Sequence, residues 1–293
     1  MAAPYAGATP PGWHGYIAAV LIVVPPSESK NPPPRRGRPV DLERLSFPRL
    51  TTLRARVLDA LVTTSARTDA LARLDVGASL CDEVERNTRL RRLPARPALE
   101  VYNGVLYDAL DASSLSPAAK RRAASRVVIV SGLWGAVRPT DRIPAYRCTI
   151  CATLVGVDAL EPAWRAMLPA VLAEAAGPRG VVVDCRSSSY LAMGRPTGLG
   201  DRTVEVRVLR DVAGRRSVVS HMAKHTRGEV ARHLLDSGAD PRTPQGLVEV
   251  LRDRWEVELV PPPRPGRAWT VAVVLPGPET DHGSDHGSDQ ANA

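Results

Sequence analysis

The chain has 293 residues, 44% of them hydrophobic, and a formal net charge of +8 carried mostly by arginine. That is enough apolar material for a large core, so neither a disulfide nor a metal staple is needed for folding. The charge favours anionic partners such as DNA, RNA or phosphorylated metabolites, and no apolar run is long enough to span a bilayer.

In chain order, residues 1–15 are Gly/Pro-rich and are expected to be disordered. Ile17–Val24 reads as a buried strand ending in Pro25-Pro26. No Lys or Arg precedes it, so it does not read as a secretory leader, and a cytoplasmic location is expected. Pro32–Pro39 (PPPRRGRP) is a loop. Leu50, Leu53, Val57, Leu58 and Leu61 recur at helical spacing. From Ala66 to Leu90 the pattern predicts helix, turn and helix, with Val76-Gly77 at the turn.

Strands are then expected at Ala98–Tyr102, Arg126–Val130 and Gly180–Cys185, and helices from Ser116-Pro117 and over Glu161–Ala176. Thr203–Leu209 and Ser217–Ser220 read as a hairpin around Ala213-Gly214. Helices over Met222–Leu235 and Thr243–Asp253 and strands over Trp255–Val260 and Trp269–Leu275 follow. Residues 277–293 form a low-complexity tail. The expectation is an α/β fold in one compact domain over residues 16–276: a mixed sheet with surrounding helices and a helical insertion. Cys148 and Cys151 form a CxxC pair in a segment that reads as extended. It lacks two further zinc ligands at matching spacing, so both are read as small buried hydrophobes.

Five polar or glycine-rich segments lie beside predicted strands, where α/β sheets tend to bind ligands. Pro25–Lys30 offers the Ser27 hydroxyl, the Glu28 carboxylate and the Lys30 ammonium. Val101–Tyr107 offers Tyr102, Asn103 and Tyr107, with Gly104 permitting close backbone approach. Ser131–Arg147 follows a strand with Ser131 and Gly132, then supplies Arg138, Asp141, Arg142, Tyr146 and Arg147. Arginine forks suit phosphate or carboxylate, and Asp141 is placed to orient one of them. Asp184–Tyr190 carries Ser187, Ser188 and Ser189 at a helix start, then Tyr190. Ser220–Gly228 places Lys224, Arg227 and Gly228 on a helix, with Gly228 leaving Lys224 a recessed setting. Each has an ordinary structural alternative: a turn, a core cap or a solvated face. None of the segments indicates a cofactor or a metal.

In this order the five segments resemble the YaaA peroxide-stress family, in its actinobacterial-type branch. The match runs through Pro25–Lys30, Tyr102–Tyr107, Ser131–Arg147, Ser187–Tyr190 and Lys224–Gly228, and spans residues 20–275. The resemblance implies a compact α/β fold with a positively charged cleft and a helix-hairpin-helix element. It also implies DNA binding and protection against peroxide, in part by lowering free iron. The helical segment from Ala66 to Leu90 is the counterpart of the hairpin. Trp134 stands where the family usually has Tyr, and Ser188 and Ser189 where many relatives have an acidic pair.

Two functions are consistent with these residues. The first is a DNA-binding stress protein. The second is an enzyme acting on a nucleotide or another phosphorylated metabolite, with Glu28, Lys30, Asp141 and Lys224 as its catalytic candidates. Ser27, Tyr102, Asn103, Tyr107, Ser131, Arg138, Tyr146, Arg147, Ser187, Tyr190 and Arg227 would bind the ligand in either case.

Overall fold

The computed structural model describes residues 20–157, 159–212, 215–218 and 220–276. It opens with β1 (Leu21–Val24), followed by the helical block α1 (Thr51–Ser65), α2 (Ala70–Arg73) and α3 (Cys81–Asn87). Next come β2 (Arg96–Pro97), α4 (Ala98–Val101), α5 (Val105–Leu110) and α6 (Pro117–Arg126). Then follow β3 (Val127–Ser131), β4 (Gly135–Val137), β5 (Arg142–Ile143), α7 (Leu160–Arg165), α8 (Leu168–Ala176), β6 (Val182–Asp184) and α9 (Ser188–Leu191). The last third is β7 (Thr203–Val212), β8 (Arg215–Val218), α10 (Ser220–Ser237), α11 (Pro244–Arg252), β9 (Glu256–Val260) and β10 (Trp269–Leu275).

The expected α/β class is the observed one. An eight-stranded mixed sheet runs β4-β3-β1-β6-β7-β10-β9, with β8 on β7. Strands β3, β1, β6, β7 and β10 are parallel, while β4, β8 and β9 are antiparallel to their neighbours. Parallel strands covered on both faces are continuous apolar runs. β1 follows that rule, with no residue more than 1% exposed. The ends of β1, β3 and β6 therefore deliver the Ser27–Lys30, Ser131 and Asp184–Tyr190 segments to one end of the sheet.

Some local expectations are corrected. Ala98–Val101 is a helical turn, not a strand. Pro97 precedes it with extended backbone, and Ala98 N–H donates to the Asp141 carbonyl at 2.7 Å. Only Tyr102 keeps strand character, in a lone bridge with Lys30. The helix expected over Glu161–Ala176 is two helices. Pro169 lacks the N–H a continuous helix needs, so the chain restarts at Leu168. Ser116 caps α6 by accepting from Ala119 N–H, as expected. Ala213-Gly214 and residues 1–15 and 277–293 lie outside the described residues. No helix among the described residues is long and apolar enough to cross a membrane.

Arg54 in α1 shows how the helical block is tied to the sheet. It is fully buried and donates to the carbonyls of Trp134 (2.9 Å), Phe47 (3.4 Å) and Ala136. Burial pulls its guanidinium down to about 10. At Gly135, φ is +68° and the ring of Trp164 would lie 2.5 Å from any added Cβ. The turn after β3 therefore needs glycine on both counts.

Candidate functional site

Four segments meet at the C-terminal ends of β1, β3 and β6. All four tyrosines among the described residues are there, and all are buried. The Tyr102 and Tyr146 hydroxyls are 2.9 Å apart. Tyr102 stacks on Tyr107, with ring centroids 5.3 Å apart, and meets Tyr146 edge-on. Tyr107 donates its hydroxyl to the Pro25 carbonyl at 2.8 Å. Tyr190 points its hydroxyl at the Glu28 carboxylate, 3.5 Å away. The buried Ser131 hydroxyl lies beside the Tyr102–Tyr146 pair and accepts from Trp134 N–H. Burial raises all four phenols, so they stay protonated and act as hydrogen-bond donors.

Lys30 is half-buried within this cluster. Its ammonium is 4.2 Å from the centre of the Tyr146 ring and 5.8 Å from that of Tyr102. It donates to the Glu28 carbonyl at 3.2 Å. Burial, with Arg147 nearby adding repulsion, lowers its pKa to about 8, although Glu28 pulls the other way. The Arg147 guanidinium lies 3.6 Å from Glu28 and donates twice to Glu83, at 2.9 and 2.6 Å. Asn103 donates to Asn31 at 3.0 Å, and its buried Oδ1 has no partner among the described residues. A Cβ on Gly104 would come within 3.1 Å of the Ser27 hydroxyl, which places Ser27 at the same edge.

Other candidates lie elsewhere. Arg138 is buried at the opposite end of the sheet. It donates to the carbonyls of Ser125 and Val127, below the start of β3, and stacks on Phe47. Asp141 orients no guanidinium: it accepts the Arg138 backbone N–H at 2.8 Å and the Ser46 hydroxyl at 2.8 Å. β4 runs back antiparallel to β3, so the two ends of the Ser131–Arg147 segment are delivered to different ends of the sheet. Lys224 is exposed rather than recessed. Gly228 leaves room for α5, not for Lys224: its Cβ would lie 2.1 Å from the Leu106 carbonyl. Arg227 donates to the Val206 carbonyl. Cys148 is buried and its thiol is pushed up to about 12, but Cys151 is exposed, and the segment joining them is irregular rather than extended.

Two clefts flank α9. One, of about 560 Å³, is lined by Cys151, Thr153, Glu161 and Ser189 among others. The other, of about 340 Å³, is lined by Ser188, Arg195, Glu205, Arg207 and Arg227 among others. Ser187 is half-buried as the residue before α9, and its side chain does not cap the helix. Among the described residues no three His, Cys, Asp or Glu side chains group so as to hold a metal ion.

Glu83 and Asn87 were missed by the sequence reading. Asn87 is fully buried and exchanges two hydrogen bonds with the Arg147 backbone, at 2.7 and 2.9 Å. The signal was present in their i,i+4 spacing on α3, which puts two polar groups on one helix face beside buried Val84.

Lys30 makes stability depend on pH in a defined direction. Its pKa is about 8 when folded and near 10.5 when unfolded. The unfolded chain therefore holds the proton more tightly, and the penalty, complete below pH 8, is relieved as pH rises toward 10.5. In urea titrations, the stability of wild type relative to Lys30→Met should rise by about 1–3 kcal/mol between pH 7.5 and 10. The comparison is between proteins because Cys148 and Cys185, both raised to about 12, oppose the trend in each from pH 9. A difference independent of pH would mean that Lys30 is fully solvated.

The family model described as Peroxide stress protein YaaA matches residues 20–258. A UPF0246 protein of Streptomyces coelicolor is 48% identical over 260 residues, covering 87% of this chain and 98% of that one. A UPF0246 protein of Corynebacterium efficiens is 40% identical over 258 residues, covering 87% and 100%. One from Cereibacter sphaeroides is 31% identical over 234 residues, covering 75% and 88%. With a family model across most of its length and relatives matched nearly end to end, the chain belongs to the YaaA peroxide stress protein family.

Proposed function

We propose that this protein serves the peroxide stress response in the cytoplasm as an enzyme acting at the Lys30 site on a small anionic ligand, a nucleotide or another phosphorylated metabolite. The observation that carries this reading is the convergence of Glu28, Lys30, Tyr102, Asn103, Tyr107, Tyr146, Arg147 and Tyr190 from four separate segments. Buried phenols, an unpartnered amide oxygen and a half-buried amine suit an enclosed ligand. Phosphate tracking along a duplex needs exposed cations instead. In the neighbouring cleft the exposed Arg207 would receive an anionic group, while Arg195 is paired there with Glu205 and Arg227 donates to the Val206 carbonyl.

DNA binding is the second reading, favoured by the net charge of +8. Its structural support is weaker. Buried Arg54, Arg138 and Arg186 are taken up by internal partners. In the hairpin candidate, α2 and α3 span only four and seven residues, and α3 turns Glu83 and Asn87 inward to Arg147.

One set of titrations separates the two. ADP and a short random duplex are each titrated into wild type, Lys30→Ala and Lys224→Ala. On the ligand reading, Lys30→Ala weakens ADP binding at least about tenfold, or 1.4 kcal/mol, and leaves duplex binding unchanged. On the DNA reading, duplex affinity falls steeply with salt, with a log–log slope of about −0.9 per phosphate contact. ADP binding that Lys30→Ala does not alter removes the Lys30 site from the function.

A further inference from the structure

Of the 39 cationic Lys and Arg side chains, three are lysines: Lys30, Lys120 and Lys224. Every deeply buried cation is an arginine. Arg54 caps three carbonyls, Arg138 caps two, and Arg186 pairs with Asp184. Arginine can fill those positions because it stays charged and fans out its donors. Lysine supplies something arginine cannot, a nitrogen that gives up its proton and then carries a free lone pair.

The surroundings of Lys30 bring that uncharged state within reach near neutral pH. Its nitrogen makes one hydrogen bond, to the Glu28 carbonyl, and the Tyr146 and Tyr102 rings beneath it act for the charge, against the burial that opposes it. No carboxylate forms an ion pair with it among the described residues. The Glu28 carboxylate is turned to Arg147 and Tyr190, and Glu83 to Arg147. The Arg147 guanidinium and burial both act against a charge on Lys30, and Glu28, Glu83 and Cys148 act for it. A desolvated amine beside a second cation is the arrangement that makes lysine a nucleophile. Lys30 is nevertheless half-buried rather than sealed, so a small carbonyl compound can approach it.

We propose that Lys30 is the nucleophile of this site and forms an imine with an aldehyde or ketone carbonyl of the bound ligand. The proposal rests on the small-ligand reading of the same site and adds the ligand's reactive group. The Lys30 nitrogen bonds to the carbonyl carbon while the C=O π pair moves onto oxygen; the oxygen takes up a proton and the nitrogen releases one, which leaves a neutral carbinolamine. The carbinolamine then takes a second proton and loses its oxygen as water. The nitrogen lone pair closes the C=N bond, and the nitrogen proton leaves. One carbonyl and one amine give one imine and one water, with no oxidant or reductant. The buried Tyr102–Tyr146 hydroxyl pair stays protonated, so it can donate to the departing oxygen.

The test uses two aldehydes, pyridoxal 5′-phosphate and uncharged propanal, each followed by borohydride reduction and peptide mass analysis. Because the chain has only three lysines, each adduct is assigned directly. At pH 7.5 Lys30 should be modified at least about tenfold faster than exposed Lys120 or Lys224. The rate at Lys30 should reach half its maximum near pH 8. In Lys30→Arg the fast adduct should vanish, while the comparison with Lys120 inside wild type needs no variant to fold. Equal labelling of all three lysines, or an unlabelled Lys30, overturns the proposal. Saturable binding of ADP and pyridoxal 5′-phosphate without a reducible adduct overturns it too, yet leaves the small-ligand reading standing. Fast modification of Lys30 by propanal with no binding of either phosphorylated compound supports the amine chemistry and sinks the anionic-ligand reading instead.

Discussion

Arg186→Ala should destabilise the protein by about 3–5 kcal/mol, read as a fall in the urea midpoint at pH 7. The Arg186 and Asp184 side chains are both fully buried. Arg186 donates from Nε to Asp184 Oδ1 at 2.9 Å and from a terminal nitrogen to Oδ2 at 2.6 Å, a two-pronged pair. Its remaining donors reach the carbonyls of Tyr190 (3.1 Å) and Gly194 (2.9 Å). Truncation therefore leaves a buried carboxylate without a counter-ion and the Gly194 carbonyl without its donor, while the Tyr190 carbonyl keeps only backbone N–H donors such as that of Met193 at 3.3 Å. Each is costly because water cannot replace the lost partner. Most of that loss reflects the orphaned charge rather than the intrinsic worth of the pair. Removing both charges in Asp184→Asn/Arg186→Met should therefore recover at least about 1 kcal/mol relative to Arg186→Ala. A single-mutant cost under about 1 kcal/mol would show that solvent reaches the pair.

Gly228→Ala should cost about 2–3 kcal/mol although it replaces the poorer helix former by the best one. On an open helix face the substitution gains roughly 1 kcal/mol. Here the added Cβ would lie 2.1 Å from the Leu106 carbonyl oxygen and 2.9 Å from the Ala109 Cβ. The first obstacle is backbone, so no side-chain rotation relieves it, and α10 must move off α5. Gly246→Ala in α11 is the matched control. Its Cβ would find nothing nearer than 3.4 Å, so it should be neutral or stabilising by up to about 1 kcal/mol. Thermal melting of both variants reads the sign. A stabilised Gly228→Ala would mean that the α5–α10 contact is looser than its geometry indicates.

The same glycine shows where sequence reasoning reached its limit. Its position after Lys224 and Arg227 was visible, but its purpose was assigned to the wrong neighbour. The residue that requires it, Leu106, lies far away along the chain. The sheet was legible because β1, β3 and β6 are buried on both faces and read as unbroken apolar runs. Ala98–Tyr102 misled because a short stretch, apolar apart from Glu100, fits a strand or a helical turn equally well. Lys30, Glu28, Asn103, Arg147 and the tyrosines stood out as polar and aromatic groups at the ends of such runs. Arg138 and Asp141 stood out in the same way, but the reversal at β4 carries them to the far end of the sheet. Glu83 and Asn87 were hidden because only the docking of α3 brings them to Arg147.

The cluster around Glu28 has a further consequence for how the molecule is made. Its side-chain links between segments are distant in sequence: Arg147 to Glu83 spans 64 positions, and Tyr190 to Glu28 spans 162. Closing loops of that size comes at an entropic cost before any contact rewards it. During synthesis Glu28 leaves the ribosome long before Tyr190 exists to meet it, and for that interval Lys30 lacks the neighbours that disfavour its charge. The site is thus completed late in folding. Substitutions that weaken it should mainly speed unfolding and leave the rate of folding nearly unchanged.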